Sequence, residues 1–160
     1  MKKILVTGGA GFIASHIVDA YVEAGHNVAV VDDLSTGKKE FVNAKARFYE
    51  VDLRDRKELD AILKKEKPAI INHHAAQKSV PHSVQDPVKD AEINVIGLLN
   101  LLETGRLNGV KRVIFASTGG AIYGDAETLP TPEEYDALPA SPYGITKLVS
   151  EHYLRFYHEL

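Results

Sequence analysis

The chain has 160 residues, 44% of them hydrophobic, and a formal net charge of −3 at pH 7. This size and composition predict one globular domain and exclude a disordered or collagen-like chain. The mixed charges form no basic stripe for nucleic acid and no polybasic flank for an anionic membrane, so neither partner is expected. The sequence has no cysteine, which excludes disulfides and thiolate metal sites.

The first residues resemble a secretory leader only briefly. The apolar run that begins the chain is interrupted by Thr7, Gly8 and Gly9, and Asp19 follows, so the apolar centre of a signal peptide is missing. No run approaches the roughly 20 apolar residues of a membrane span. These features, with the lack of cysteine, predict a cytoplasmic protein.

Short runs rich in β-branched residues alternate with longer helical patterns, which is typical of parallel strands joined by helices. The pattern predicts five strands, at residues 4–6, 27–32, 47–51, 69–73 and 112–117. It predicts four helices, at residues 11–24, 55–65, 88–107 and from 141 to the end. A loop is predicted through Pro81 and Pro87, and residues 118–140 are predicted to be mostly loop. The predicted fold class is α/β, a Rossmann-like doubly wound parallel sheet in three α/β/α layers.

Glycines close the first predicted strand and open the first predicted helix. In the pattern Gly8-x-x-Gly11-x-x-Ala14, the amides and positive dipole end of a helix N-terminus point at one small region, which favours an anion such as a pyrophosphate. The last position needs only a small residue for packing, so Ala14 fits the dinucleotide-binding fingerprint. A glycine cluster by itself also marks an ordinary turn.

Asp32 favours the dinucleotide interpretation over the ordinary turn. It ends the second predicted strand about 20 residues after the glycines, where a carboxylate accepts hydrogen bonds from both adenosine ribose hydroxyls. The same charge repels a 2′-phosphate, so NAD is favoured over NADP. Lys38 and Lys39 leave NADP open.

A tyrosine and a lysine lie one turn apart in the last predicted helix. Ser141 can cap this helix, and Tyr143 and Lys147 then share one face. The ammonium, a bound nicotinamide cation and the helix N-terminus would all favour a phenolate, so the pKa of Tyr143 is expected below about 10, making it a general base. Ser117 and Thr118 end the fifth strand, at the sheet edge where ligands bind.

Five segments, "TGGAGFIASH", "DDLSTG", "NHHAAQKSV", "FASTGGAIYG" and "SPYGITK", resemble the extended short-chain dehydrogenase/reductase family. Within that family they are similar to the nucleotide-sugar epimerases related to UDP-glucose 4-epimerase. The resemblance covers essentially the whole chain and implies an NAD-binding Rossmann domain over residues 1–160. It further implies NAD as cofactor, a UDP-hexose as substrate, and inversion at sugar C4 by transient oxidation through hydride transfer to bound NAD.

The resemblance also implies a role for each matching residue. Tyr143 is the base, Lys147 binds the nicotinamide ribose and lowers the tyrosine pKa, and Thr118 hydrogen-bonds the sugar hydroxyl, with Ser117 as the second choice. The implied cofactor-binding residues are Gly8, Gly11, Phe12 and Ile13 at the pyrophosphate, Asp32, Asp33, Ser35, Thr36 and Gly37 at the adenosine ribose, Asp52 and Leu53 at adenine, Ala75, Ala76 and Gln77 beneath the cofactor, Lys78 and Asn94 at its ribose or at loop neighbours, and Ser117, Tyr143 and Lys147 at the catalytic end.

Other interpretations stay open for some of these residues. Asp52 could simply cap the helix that follows it, and Asn94 could be an ordinary polar position on a helix. The seven histidines show no metal-ligand spacing, and His73 and His74 point opposite ways in an extended strand, so no metal site is expected.

Two departures from the family bear on function. Related dehydratases carry an acidic pair where this chain has Gly119 and Gly120, which favours an epimerase over a dehydratase. Family members also continue for about as long again, with a C-terminal substrate domain that is expected to be absent from this chain. The alternatives are a truncated NAD-binding module without turnover, or a nucleotide-sugar dehydratase or reductase of the same family, the reductase with a dissociable cofactor. Relatives commonly dimerise through a bundle that includes the last helix, which suggests a homodimer.

Overall fold

The computed structural model describes residues 1–160. Strands β1 to β5 span Lys3–Thr7, Asn27–Asp32, Arg47–Glu50, Ile70–His73 and Arg112–Phe115. Helices α1 to α7 span Phe12–Glu23, Arg56–Glu66, Val80–Gln85, Pro87–Ala91, Gly97–Leu107, Gly119–Ile122 and Pro142–Glu159. A 3₁₀ turn covers Lys39–Phe41, and a π-helical turn covers Glu92–Ile96 between α4 and α5.

Residues 1–76 and 99–116 form one compact unit around the sheet. All strand pairs are parallel, in the order β3-β2-β1-β4-β5, so β1 is central and β5 is an edge. Leu5, Val6 and Thr7 of β1 have no solvent exposure. Such continuously buried strands are typical of a parallel sheet covered on both faces.

Two apolar clusters cover the two faces of this sheet. On one face, Val18 of α1 packs with Val6 and Val30 of the strands. On the other face, Leu63 of α2 and Leu101 of α5 pack in a second buried cluster that also contains strand residues. The unit therefore has three layers, α/β/α, and the predicted Rossmann-like fold is confirmed.

A charged cluster ties β3 to α2 in the same unit. Arg47 donates from Nε and Nη2 to the Glu66 carboxylate at 2.6–3.0 Å, and the Tyr49 hydroxyl donates to it at 2.5 Å. Glu66 is 6% exposed. The hydrogen bonds from Arg47 lower the pKa of Glu66 more than burial raises it, so this carboxylate is stabilised as the anion.

Residues 77–98 and 117–160 form a second compact unit, which holds α3, α4, the π-helical turn, α6 and α7. None of the helices in the chain is both long enough and apolar enough to cross a membrane.

The predicted loop through Pro81 and Pro87 is wrong, because these residues form α3 and α4. Each proline lies in a first helical turn, where its missing N–H leaves no hydrogen bond unmade. Ser79 caps α3 by accepting from the backbone N–H of His82, and Asp86 caps α4 in the same way. The long helix predicted after Pro87 is likewise interrupted by the π-helical turn.

Candidate functional site

Gly8 follows β1 in a conformation that only glycine adopts easily. Its φ is +71°, and its N–H donates to the carbonyl of Val31 at 2.8 Å. A Cβ at this position would lie 2.6 Å from the backbone nitrogen of Ala75. The turn therefore requires glycine both for its left-handed backbone and for the close approach of a neighbouring chain segment.

The N-terminus of α1 has the properties of an anion site. Gly11 precedes the helix and provides no side-chain cap, and the first turn contains no acidic residue. Phe12 and Ile13, in that turn, are 75% and 66% exposed, whereas Ala14 is 2% exposed and packs in the core. The first-turn amides are thus offered to an external acceptor without competition from a side-chain cap.

Asp32 ends β2 and is held by two backbone amides. The N–H of Ala10 donates to Oδ2 at 3.0 Å, and the N–H of Leu34 donates to Oδ1 at 2.8 Å. A carboxylate oxygen accepts more than one hydrogen bond, so each keeps capacity for a ligand hydroxyl. The side chain is therefore both fixed in direction and chemically suited to a ribose diol.

The loop after β2 is fastened to the turn after β1. The N–H of Lys38 donates to the carbonyl of Ala10 at 2.9 Å, and a Cβ at Gly37 would lie 2.9 Å from the Cβ of Ala10. At the start of the loop, Asp33 accepts from the N–H and the hydroxyl of Ser35 at 2.9 and 2.6 Å. The predicted adenosine-ribose residues therefore lie in a loop ordered by its own hydrogen bonds.

The alternative that Asp52 caps the following helix is wrong. Its carboxylate accepts from the Arg54 guanidinium at 2.6–3.1 Å, and these bonds lower the pKa of Asp52. Asp55 caps α2 instead, accepting from the N–H groups of Lys57 and Glu58. Leu53, beside Asp52, is 7% exposed and belongs to the core cluster.

These residues of the first unit fit a dinucleotide. They combine an uncapped helix N-terminus, a turn at Gly8 that a side chain would block, and an oriented carboxylate at Asp32. Those are the groups that bind a pyrophosphate and an adenosine ribose in Rossmann folds. Ala75 borders the Gly8 turn, and Ala76 follows it as a half-buried residue.

In the second unit, Asn94 is not the ordinary polar position that the sequence left open. It is 3% exposed, its Oδ1 accepts from the N–H of Gln77 at 2.9 Å, and its Nδ2 donates to the Gln77 carbonyl at 3.0 Å. The contact with a loop neighbour, one of the two roles implied for Asn94, is thus present. Lys78, next to Gln77, is exposed.

Two serine hydroxyls fix the start of α7. Ser141 accepts from the N–H of Gly144 at 3.1 Å, which is the predicted N-cap. Ser83, fully buried in α3, accepts from the N–H of Tyr143 at 3.1 Å and donates to the Val80 carbonyl at 2.7 Å. The backbone that carries Tyr143 is therefore held from two directions.

Tyr143, Lys147 and Thr118 come together in this unit. Tyr143 is hydrogen-bonded to Thr118, and the Lys147 Nζ lies 5.9 Å from the centroid of the tyrosine ring. Lys147 is 4% exposed, and burial lowers its pKa to about 8. The sequence therefore predicted correctly that the tyrosine and the lysine share a helix face.

The expected lowering of the Tyr143 pKa is not found in the chain itself. Burial raises this pKa, the hydrogen bond with Thr118 lowers it by less, and the negative charge of Asp90 raises it further. The reason is that a phenolate loses more hydration on burial than one hydrogen bond returns.

Ser117 and Thr118 line a cavity of about 310 Å³. The Ser117 hydroxyl donates to the carboxylate of Glu151. Glu133 and Tyr123 also line the cavity. Carboxylates and hydroxyls in such a cavity can bind the hydroxyl groups of a polar ligand.

Two neighbouring histidines near the end of β4 have hydrogen-bond partners within the chain. His73 is hydrogen-bonded to the Thr7 hydroxyl at 2.6 Å and stacks on Phe115, and His74 is hydrogen-bonded to Asn72 at 2.9 Å. No group of three or more His, Cys, Asp or Glu side chains is arranged to hold a metal ion.

Sequence reasoning missed Asp90, Ser83 and Thr146. Asp90 and Thr146 are 1% and 6% exposed, and the Thr146 hydroxyl donates to Asp90 at 2.8 Å. One signal was available: Asp90 and Asn94 are four residues apart and share a helix face with buried Leu98. A carboxylate on a buried face indicates a specific partner.

Known proteins of similar sequence and structure include UDP-glucose 4-epimerases. The Mycolicibacterium smegmatis UDP-glucose 4-epimerase is 43% identical over 163 residues, which cover 99% of this chain and 52% of that enzyme. The Thermotoga maritima enzyme with UDP-glucose has 50% identity and a TM-score of 0.96, covering 98% of this chain and 51% of that one. The Thermus thermophilus enzyme in complex with NAD has 48% identity and a TM-score of 0.95, covering 98% and 50%.

The chain thus spans about half the length of the relatives it matches. A family match extends from residue 4 to residue 160 and includes both the glycine turn and the Tyr143–Lys147 pair. With nearly every residue matched, the chain belongs to the NAD dependent epimerase/dehydratase family.

Proposed function

We propose that this chain is the NAD-binding part of a nucleotide-sugar epimerase of the UDP-glucose 4-epimerase type. The observation that carries the proposal is the hydrogen-bonded pair of Thr118 and Tyr143 beside buried Lys147, in a member of an epimerase/dehydratase family. Residues 1–160 would form the NAD-binding domain. The part of the relatives that lies outside the matched region would contain the substrate domain.

NAD binding is supported by the groups of the first unit. Gly8, Gly11 and the exposed first turn of α1 would hold the pyrophosphate, and Asp32 would accept from the adenosine ribose hydroxyls. The loop after β2 and the side chains that follow β3 would border the adenosine, and the segment after β4 would pass beneath the cofactor. The proposed residues of these three segments are Asp33, Ser35, Thr36 and Gly37, then Asp52 and Leu53, and then Ala75, Ala76, Gln77 and Lys78 with Asn94.

The second unit would handle the proton. Tyr143 would accept the proton of the sugar hydroxyl at C4, with Thr118, or as a second choice Ser117, hydrogen-bonded to that hydroxyl. Tyr143 can accept a proton only as a phenolate, whereas burial favours the neutral phenol. The phenolate form therefore needs the positive charge of Lys147 beside the ring. NAD, when bound, supplies the hydride acceptor and donor.

The proposed substrate is a UDP-hexose. Two features support it: the matched relatives are named UDP-glucose 4-epimerases, and the cavity beside Thr118 carries carboxylate and hydroxyl groups. Gly119 and Gly120 replace the acidic pair of the dehydratases, which disfavours loss of water from the sugar.

We predict that the purified chain releases NAD when it is denatured, and that Tyr143→Phe abolishes sugar interconversion while NAD is retained. The reason is that Phe lacks the Tyr143 oxygen that takes the proton of the sugar hydroxyl. NAD is retained because the residues proposed to bind its pyrophosphate and ribose lie elsewhere in the sequence. Released NAD is measured by absorbance and mass spectrometry, and interconversion by the ratio of the two UDP-hexoses, in the whole enzyme that contains these residues. Full activity of Tyr143→Phe would refute the assignment.

A second candidate is an NAD-binding module without turnover, favoured by the half-length match to the relatives. Adding NAD and a UDP-hexose to the whole protein that contains these residues separates the two candidates. Sugar interconversion supports the epimerase, and cofactor uptake without interconversion supports the module. Net production or consumption of NADH would instead indicate a reductase.

A homodimer through α7 is also proposed, in a cytoplasmic setting that suits the cysteine-free sequence. Ile145 and Phe156, eleven residues apart and so on one side of α7, are 49% and 55% exposed. We expect sedimentation velocity to show a dimer that Phe156→Lys weakens, because a charge replaces the apolar contact. A monomer at every concentration would contradict this proposal.

A further inference from the structure

Asp90 is a buried carboxylate that the proposed reaction does not use. It lies in α4, is 1% exposed, and accepts hydrogen bonds from three side chains. The amide of Gln77 donates to Oδ1 at 2.7 Å, and the amide of Asn94 donates to the same oxygen at 3.2 Å. The hydroxyl of Thr146 in α7 donates to Oδ2 at 2.8 Å. Three donors converging on one buried carboxylate stabilise its negative charge.

Lys147 follows Thr146 directly, and it is the buried positive charge of the same unit. Burial lowers the pKa of Lys147 to about 8, and the negative charge of Asp90 opposes this by raising it. An ammonium with 4% exposure is retained in an apolar environment only where an opposite charge compensates for its lost hydration.

The other titratable groups on the elements that pack against α7 are more exposed than Asp90. Of those on the elements that pack against α7, His82 of α3, Lys89 of α4 and Glu92 of the π-helical turn are exposed, and α6 carries none. On α7 itself, Tyr143 faces Lys147, and the exposed Glu151 accepts from Ser117. Water screens exposed charges strongly.

We propose that Asp90 is a positioning residue for the Tyr143–Lys147 pair: it supplies the countercharge of the buried Lys147 ammonium and holds the adjoining turn of α7 through Thr146. The inference rests on the proposed function, because the charge of Lys147 matters to catalysis only if Tyr143 is the base. Asp90 acts through the lysine, since its direct influence on Tyr143 disfavours the phenolate.

The test is a pH titration of Lys147 in the 160-residue chain without NAD or sugar. Lysine labelled with ¹³C at Cε reports the protonation state by NMR, and the spectrum of Lys147→Met assigns the signal. We expect the Lys147 midpoint of Asp90→Asn to lie below the wild-type midpoint measured in the same way, because the negative charge of Asp90 raises the pKa of Lys147. Thr146→Val is the matched control, because it removes the hydrogen bond and keeps the charge, so its midpoint should stay at the wild-type value. An unchanged midpoint in folded Asp90→Asn overturns the proposal.

A second measurement covers the case in which Asp90→Asn does not fold. The double variant Asp90→Asn with Lys147→Met removes both charges. Recovery of the fold in the double variant supports the charge pair, because the unpaired ammonium was then the cause of unfolding. A double variant that stays unfolded, while Lys147→Met alone folds, shows that Asp90 acts only through Thr146 and Asn94 and overturns the proposal.

Failure of the proposed function gives a different pattern. If the wild-type chain binds no NAD but its Lys147 midpoint still depends on Asp90, the epimerase assignment fails and the charge pair stands. If NAD binds and the midpoint is insensitive to Asp90, the positioning role fails and the NAD-binding assignment stands.

Discussion

At Gly8 the absence of a side chain decides the path of the backbone. The segment around Ala75 approaches so closely that a Cβ would lie 2.6 Å from its nitrogen. Gly25 has a similar φ, +77°, but a Cβ there would meet nothing within 4 Å. A side chain at Gly25 would therefore incur only the cost of a left-handed backbone, whereas a side chain at Gly8 would incur that cost and a steric clash.

We predict that Gly8→Ala destabilises the chain more than Gly25→Ala does. The left-handed backbone alone costs about 1 kcal/mol, and the clash at Gly8 adds roughly 1–3 kcal/mol. Urea unfolding of both variants measures the difference, and equal losses would show that the segment around Ala75 moves away easily.

At the residue scale, a sequence indicates candidate site residues where the chemistry is local in the chain. Gly8, Asp32, Tyr143 and Lys147 could be proposed because each belongs to a short pattern with its own physical reason. Asp90 was not found, because its partner Thr146 is 56 positions away in the chain. A sequence pattern does not indicate which distant residues meet.

At the scale of elements, prolines were the main source of error. Pro81 and Pro87 indicated a loop, yet both lie in the first turn of a helix, where a proline leaves no hydrogen bond unmade. The signals that identify α3 and α4 are their caps, Ser79 and Asp86, which precede the prolines. By contrast, β2 has its predicted bounds, because a run of buried β-branched residues favours a strand over other secondary structures.

We predict that the link between β3 and α2 makes stability depend on pH. The pKa of Glu66 is lower in the folded chain than its ordinary 4.5, so its contribution is complete above about pH 4.5 and is lost as the pH falls through the folded-state pKa. Glu66→Gln should lower the free energy of unfolding by roughly 1–2 kcal/mol at pH 7. This difference from wild type should narrow below pH 4.5.

Urea unfolding at several pH values measures the effect of Glu66→Gln. Asp60→Asn is the control, because the carboxylate of Asp60 pairs with the exposed Lys64 one turn away and is itself more exposed than Glu66, so solvent screening leaves a smaller effect. A loss in Glu66→Gln that is equally large at acid and neutral pH would show that packing, and not charge, is responsible.

At the scale of the whole molecule, the chain is organised as two compact units with different chemistry. The unit of residues 1–76 and 99–116 carries the glycine turn and Asp32, and the other unit carries Thr118, Tyr143 and Lys147. The Rossmann-like sheet could be predicted because alternating strand and helix patterns leave few topologies. The division into units could not be predicted, since it depends on contacts between segments distant in sequence.

We predict that NAD stabilises the whole chain and that NADP does so much less. A ligand bound only by the folded state adds about 2.7 kcal/mol to the free energy of unfolding at 100 times its Kd. The Asp32 carboxylate should repel a 2′-phosphate and so weaken NADP. Thermal unfolding with each dinucleotide measures this preference, and equal stabilisation by the two would mean that Asp32 does not face the ribose.

The fastening of Lys38 and Gly37 to Ala10 has a kinetic consequence. Because residues 37 and 38 are already held by hydrogen bonds and packing in the folded chain, binding of the adenosine end of NAD to this loop, as proposed, would require no prior rearrangement of the loop. Little conformational entropy would then be lost on association. Arrival of the cofactor at this end should therefore be limited by diffusion and orientation rather than by closure of a flap.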